Sequence, residues 1–157
     1  MVQRFEELEV WKESRHLAKG IYVLTNKAAF RQDWDLSRQI RRAAVSVMSN
    51  IAEGFERETN KEFARYLYIA KGSVGEVLAQ LYLASDLHYA EEGASSPLID
   101  SYMALSRQLA SFIAYLHHCV EQGRVLREIS VPYELTPSEV PSDGGTNSSQ
   151  QPATDNQ

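Results

Sequence analysis

The chain has 157 residues, 43% of them hydrophobic and 24% charged, with a formal net charge of −5 and one cysteine, Cys119. A chain of this length can bury a hydrophobic core without disulfides or metal, and a lone cysteine excludes an internal disulfide. The charged start, residues 1–8, lacks the apolar region of a secretory signal, and no apolar stretch reaches membrane-spanning length. We therefore expect a cytoplasmic protein with no membrane partner.

The negative charge is concentrated near the C-terminus. Residues 129–157 contain four acidic residues and no Lys or Arg, whereas residues 1–128 contain 17 acidic and 16 basic residues. The overall charge therefore argues neither for nor against nucleic acid as a partner.

Apolar residues at helical spacing predict four long helices. The first covers residues 5–25, and a loop from Asn26 to Trp34 separates it from the second, which covers residues 36–55. The third runs from residue 60 to about residue 88, and the fourth runs from residue 96 to Gly123. The predicted stripe of the first helix is formed by Val10, Trp11, Ser14, Leu17, Ala18, Ile21 and Tyr22.

Capping signals mark the starts of the later helices. Asp33 or Asp35 can accept hydrogen bonds from the free amides of the second helix. Thr59 and Glu62 have the spacing of a capping box at the start of the third. Ser96 followed by Pro97 favours a helix start at that point.

The C-terminal residues have a different composition. Residues 126–157 hold four of the five prolines among Ser, Thr, Asn, Gln and Gly, and such a segment lacks the apolar area that offsets the entropy of ordering. We expect an all-α fold, an antiparallel up-down-up-down four-helix bundle over residues 1–125, with a disordered tail at 126–157. The tail is either a passive solubilising segment or carries a short docking motif at Tyr133 and Leu135.

The third helix is apolar on two sides. Its core stripe runs from Phe63 to Leu81, and a second set of residues lies on the opposite side. A second apolar stripe indicates contact with another chain, although scattered exposed aliphatic residues are the alternative. The fourth helix supports an oligomer because its only full charges between residues 98 and 120 are Asp100 and Arg107. The predicted interface residues are Tyr68, Ile69, Gly72, Glu76, Leu83 and Leu87.

Basic residues of the second and third helices form a candidate strip for anions. Three guanidinium groups within two helical turns repel one another unless anions neutralise them. These anions are either carboxylates such as Glu53 and Glu76, within or between subunits, or phosphates, and plain solvation is the third possibility. No aromatic stacking platform is evident beside the arginines, which weakens the case for nucleic acid. The strip consists of Arg38, Arg41, Arg42, Arg57, Lys61 and Arg65.

Two short motifs resemble metal sites without meeting their requirements. Glu13 and His16 have the spacing used in carboxylate-bridged metal bundles, but the second pair that such bundles need is missing. His117, His118 and Cys119 are adjacent on a helix, where neighbouring side chains diverge by about 100°. We therefore predict no catalytic residues, no metal site and no cofactor, and hence a protein that is not an enzyme.

The chain resembles a known family in three segments. Leu36 to Phe55 (LSRQIRRAAVSVMSNIAEGF), Lys61 to Val77 (KEFARYLYIAKGSVGEV) and the tetrapeptide LEVW at residues 8–11 are similar to the four-helix-bundle family encoded in intervening sequences of large-subunit ribosomal RNA genes. The likeness covers about residues 8–120. By position, the residues that match the family pattern include Arg38, Arg41, Arg42, Asn50, Glu53 and Glu76.

The resemblance implies a ring-like homopentamer. It also implies kinship with the accessory protein of diversity-generating retroelements, which is similar in fold and is associated with nucleic-acid binding and a reverse transcriptase partner. Our leading hypothesis is a non-enzymatic, homo-oligomeric helical scaffold or adaptor. The alternative is an RNA- or DNA-binding module that uses the basic strip, with RNA, DNA or a nucleic-acid enzyme as partner.

Overall fold

The computed structural model describes residues 2–89 and 96–123, and all regular structure in these ranges is helical. One turn of 3-10 helix, Phe5–Glu7, precedes the α-helices. The helices are α1 (Glu9–Thr25), α2 (Ala28–Gln32), α3 (Trp34–Phe55), α4 (Asn60–Asp86) and α5 (Ser96–Glu121). The long helices α1, α3, α4 and α5 confirm the four predicted ones.

These long helices form a four-cornered bundle. α4 packs against α3 and α5, and α1 packs against the same two helices. Gly20, near the end of α1, lies against Leu98 at the start of α5. Tyr89, which follows α4, donates a hydrogen bond of 3.2 Å to Asp33, which precedes α3. Each of these contacts joins the end of one helix to the start of another, which confirms the antiparallel arrangement.

The predicted stripes of α3, α4 and α5 supply most of the core. Burial of these side chains provides the main stabilisation of the bundle, since apolar area removed from water contributes roughly 25 cal/mol per Å². Cys119 is buried, as expected. The buried core residues of α4 and α5 are Phe63, Ala64, Leu67, Ala70, Val74, Val77, Leu81, Ala84, Tyr102, Leu105, Leu109, Phe112, Ile113, Leu116 and Cys119.

Two parts of the sequence interpretation are wrong. The predicted loop between Asn26 and Trp34 contains the helix α2. This helix has only five residues, which are too few to show a helical periodicity in the sequence. Phe30 of α2 is fully buried and its carbonyl accepts a hydrogen bond from Ser37 Oγ at 2.8 Å, so tertiary contacts hold this helix in place. Tyr22, predicted in the core stripe of the first helix, is exposed, and its ring lies at the edge of the bundle under the guanidinium of Arg41.

Side-chain caps begin α3 and α4, as predicted. Asp33 Oδ1 accepts from the amide of Leu36 at 3.0 Å, and Thr59 Oγ1 accepts from the amide of Glu62 at 3.2 Å. These bonds satisfy amides that have no partner within the helix. They also fix the residue at which each helix starts, and thus which residues face outward.

The predicted C-terminal tail, residues 126–157, and the residues 90–95 between the third and fourth predicted helices lie outside the described residues. None of the helices in the ranges 2–89 and 96–123 is long and apolar enough to cross a membrane.

Candidate functional site

One side of α4 exposes apolar residues along most of the helix. Tyr68 is 56% exposed, Leu83 is 47% exposed, and Ile69 and Leu87 are each 45% exposed. All six residues predicted as an interface are exposed and lie on this side. We define the outer face of α4 as Tyr68, Ile69, Gly72, Gly75, Glu76, Ala79, Tyr82, Leu83 and Leu87.

The middle of the outer face of α4 holds a single charge. Glu76 is the only exposed charged residue on this side between Tyr68 and Leu83, while the exposed charges of Lys61, Arg65 and Asp86 lie toward the two ends of the helix. Surfaces of water-facing helices normally mix many charges of both signs, so a face of this composition is typical of an interaction site. Glu76 forms no ion pair within the described part of the chain.

Tyr82 belongs to this face although the sequence analysis omitted it. Its side chain is 51% exposed. Tyr68, Gly75 and Tyr82 recur every seven residues, and residues at this spacing lie on nearly the same side of a helix. The seven-residue repeat is the signal that could have identified Tyr82.

The two glycines of the face are not explained by packing inside the chain. A Cβ atom added to Gly72 or Gly75 would have no atom within 4 Å. Each glycine in a helix interior destabilises the helix by about 1 kcal/mol relative to alanine. The bundle itself therefore gains nothing from these glycines, whereas a second backbone could approach closely there.

Arg41 of the basic strip is held by residues at the end of α1. Its Nε donates to Thr25 Oγ1 at 2.7 Å, and its Nη2 donates to Asn26 Oδ1 at 3.1 Å. The guanidinium carbon lies 5.0 Å from the centroid of the Tyr22 ring, a cation–π contact. Arg41 thus joins α3 to α1 and is not free to bind phosphate.

Arg57 is held at the other end of α3. Its Nη2 lies 2.6 Å from Glu53 Oε1 and 2.5 Å from the hydroxyl of Tyr66. The hydrogen bond from Arg57 to Glu53 raises the pKa of the guanidinium. Glu53, which the sequence offered as a partner for the arginines of α3, is therefore occupied by Arg57 and Tyr66.

The remaining members of the strip are uncommitted. Arg38, Arg42, Lys61 and Arg65 are exposed and form no ion pair within residues 2–89 and 96–123. Trp34, one turn before Arg38, is 67% exposed, so one exposed aromatic side chain lies on the same helix as these arginines. Trp34 is the first residue of α3 and not the end of the predicted loop. We define the outer face of α3 as the exposed residues Trp34, Arg38, Arg42, Val45 and Ser49.

Small polar residues hold α3 and α4 together beneath these faces. Ser46 Oγ and Ser73 Oγ are hydrogen-bonded at 2.9 Å. Asn50 Nδ2 donates to the carbonyl of Ser46 at 2.8 Å and to its hydroxyl at 3.0 Å. The Asn50 bonds lie within α3 and hold the Ser46 side chain, and the bond between Ser46 and Ser73 is the one that joins α3 to α4.

The residues weighed as metal ligands are not brought together. His16, His117 and His118 are exposed, while Cys119 is buried. No group of three His, Cys, Asp or Glu residues within residues 2–89 and 96–123 is arranged to hold an ion.

Comparisons with known proteins bear on the family and the fold. No curated protein matches the chain. A solved structure from Bacteroides thetaiotaomicron, described as a protein with unknown function from the S23 ribosomal protein family, is similar with a TM-score of 0.61 and 23% sequence identity. The match covers 66% of this chain and 97% of that one, and at this identity it shows a shared fold. The profile of the 23S rRNA-intervening sequence proteins matches residues 6–111, more than half of the sequence, and the chain therefore belongs to that family.

Proposed function

We propose that the protein is a non-enzymatic, homo-oligomeric helical scaffold or adaptor in which the outer face of α4 forms the contact between copies. The observation that carries this proposal is the composition of the face, with five large exposed apolar side chains, two glycines without internal contacts and a single exposed charge between Tyr68 and Leu83. Leaving such a face in water is unfavourable, and covering it with another copy removes the apolar area from solvent. The family resemblance suggests five copies in a ring.

The mass of the full-length protein in solution tests this proposal. We expect light scattering at micromolar concentration to give a multiple of 17.7 kDa, the mass of one chain. Leu83→Asp and Ile69→Asp should each give a smaller, folded species, because a carboxylate buried in an apolar contact is strongly unfavourable. A monomer mass for the wild-type protein would refute the proposal.

Two control substitutions separate the contact from the fold. Val23→Asp changes an aliphatic residue that is 61% exposed on α1, away from the outer face of α4, and should leave the mass unchanged. Leu67→Asp places a charge at a fully buried position and should abolish the helical circular dichroism signal. If Val23→Asp dissociates the assembly as Leu83→Asp does, the contact does not involve α4 specifically.

Binding of RNA or DNA is a second candidate function. Trp34 favours it, since an exposed indole one turn from Arg38 could stack on a base while arginines contact phosphates. Lys61 and Arg65 lie on α4 and could extend such a contact.

Salt dependence tests this second candidate. If Arg38, Arg42, Lys61 and Arg65 neutralise four phosphates, log K for single-stranded RNA should fall with log salt with a slope of about −3. Trp34→Ala should weaken binding without changing the slope. Absence of RNA binding by the full-length protein at low salt would exclude this function.

A further inference from the structure

The bundle exposes two neighbouring faces of opposite character. On the outer face of α4 the only exposed charge between Tyr68 and Leu83 is the carboxylate of Glu76. On α3, the exposed residues between Asp35 and Glu53 carry only the positive charges of Arg38 and Arg42. None of these three side chains forms an ion pair within the described ranges.

We infer that the outer face of α4 in one copy packs on the outer face of α3 in the next copy, with Glu76 paired to Arg42. This inference rests on the proposed function and names the surface that covers α4. The proposed pairing neutralises the carboxylate at the middle of the apolar face, which a contact with a wholly apolar partner would leave buried without a counter-charge. A contact between the outer faces of α4 in two copies would instead bring two Glu76 carboxylates into one apolar interface.

The apolar residues of the two faces have matching distances from these charges. With a rise of about 1.5 Å per residue, Trp34 lies roughly 12 Å along α3 from Arg42. Tyr68 lies roughly 12 Å, and Leu83 roughly 10 Å, along α4 from Glu76. When Glu76 contacts Arg42, the exposed indole of Trp34 therefore lies level with Leu83 if the two helices run antiparallel, and level with Tyr68 if they run parallel.

The glycines of α4 suit the same contact. Gly72 and Gly75 lie within one turn of Glu76, and the space outside them is open. Val45, 38% exposed, lies one turn from Arg42 and is the apolar side chain of α3 nearest to it on the outer face. The open space at the glycines can receive Val45 beside the ion pair, which excludes water from the charged groups.

This contact joins unlike surfaces and is therefore heterologous. Each copy offers α4 to one neighbour and α3 to another, so the assembly extends from copy to copy until a ring closes. An assembly that stops at a two-fold dimer would contradict the inference.

Charge reversal in the full-length protein tests the pairing. Glu76→Arg and Arg42→Glu should each weaken assembly about tenfold or more, because each places like charges opposite one another. The double variant should recover most of that loss, as read from the dependence of mass on concentration. As a matched control, Asp100→Arg, at an exposed carboxylate on α5, should neither weaken assembly nor compensate Arg42→Glu.

The possible results separate the inference from the proposed function. If Leu83→Asp dissociates the protein but the double variant shows no recovery, the scaffold function holds and the α3 pairing is wrong. If Glu76→Gln tightens assembly, Glu76 has no cationic partner in the contact and the pairing is also wrong. If the assembled protein binds RNA and Arg42→Glu abolishes this binding without changing the mass, the arginines face nucleic acid and the inference fails. A monomeric wild-type protein refutes both.

Discussion

Gly54 lies directly against Tyr66, where α3 and α4 cross near the turn that connects them. A Cβ atom added to Gly54 would lie 2.6 Å from the Cβ of Tyr66 and 2.8 Å from Cδ2 of Phe63. The Cβ of Tyr66 is attached to the backbone and cannot move without shifting α4. Only glycine therefore fits at this crossing.

We predict that Gly54→Ala destabilises the bundle by about 2 kcal/mol, because overpacking at a rigid contact outweighs the better helix propensity of alanine. Urea denaturation monitored by circular dichroism would measure the change. The matched control is Gly72→Ala, where a Cβ meets nothing within 4 Å. In a Leu83→Asp background, which removes effects of assembly, Gly72→Ala should stabilise the chain by about 0.5–1 kcal/mol. Equal effects of the two substitutions would contradict this explanation.

Arg41→Ala should lower the free energy of unfolding by about 1–2 kcal/mol. The substitution removes two hydrogen bonds to the end of α1 and the cation–π contact with Tyr22. Arg38→Ala, three residues earlier and exposed, should change unfolding of the Leu83→Asp form by less than about 0.5 kcal/mol. Thermal denaturation of the two variants in that form checks the difference, and a silent Arg41→Ala would mean that these contacts contribute no net stability.

Asp33 accepts two hydrogen bonds with different carboxylate oxygens: one oxygen caps α3, and the other accepts a hydrogen bond from the hydroxyl of Tyr89. Asp33→Ala should therefore destabilise the bundle by about 1–2 kcal/mol, at the upper end of the range for a lost helix cap. Tyr89→Phe isolates the second bond and should account for only part of that loss. Asp35→Ala is the control, because Asp35 is exposed and does not cap the helix. Denaturant unfolding that gives equal losses for Asp33→Ala and Asp35→Ala would contradict the assignment.

Tyr102 is fully buried, yet its hydroxyl has no hydrogen-bond partner among the described residues. Tyr102→Phe should leave stability at neutral pH unchanged or raise it by about 1 kcal/mol, because an unpaired polar group leaves the core and no partner is stranded. The melting temperature reports the change. A clear loss of stability would show that the hydroxyl is bonded.

The same hydroxyl predicts loss of stability in alkali. Burial raises the pKa of Tyr102, so the unfolded chain releases this proton at a lower pH than the folded chain. The contribution of Tyr102 is complete below the unfolded pKa of about 10 and declines as the pH rises above it. Denaturation midpoints between neutral and alkaline pH should fall less steeply in Tyr102→Phe than in the wild type, and parallel profiles would argue against this role.

Helical periodicity predicted the four long helices because each has an uninterrupted apolar stripe, as from Phe63 to Leu81. It could not predict α2, whose five residues are held by the burial of Phe30. The exposed face of α4 was also predictable, since residues opposite a core stripe must point outward. The hydrogen-bond partners of the arginines could not be predicted from the sequence. Arg41 bonds to Thr25 and Asn26, which are 16 and 15 residues away, and periodicity within one helix does not register such contacts.

The serine contact between α3 and α4 has a geometric consequence for any assembly built from their outer faces. Ser46 and Ser73 are bonded at 2.9 Å within the packed contact between α3 and α4, so the two outer faces keep a fixed angle, which in the proposed assembly would set the directions in which a copy meets its two neighbours. That angle dictates how many copies complete a circle. A bulkier side chain at Ser73 should therefore alter the number of subunits and not merely the strength of their association.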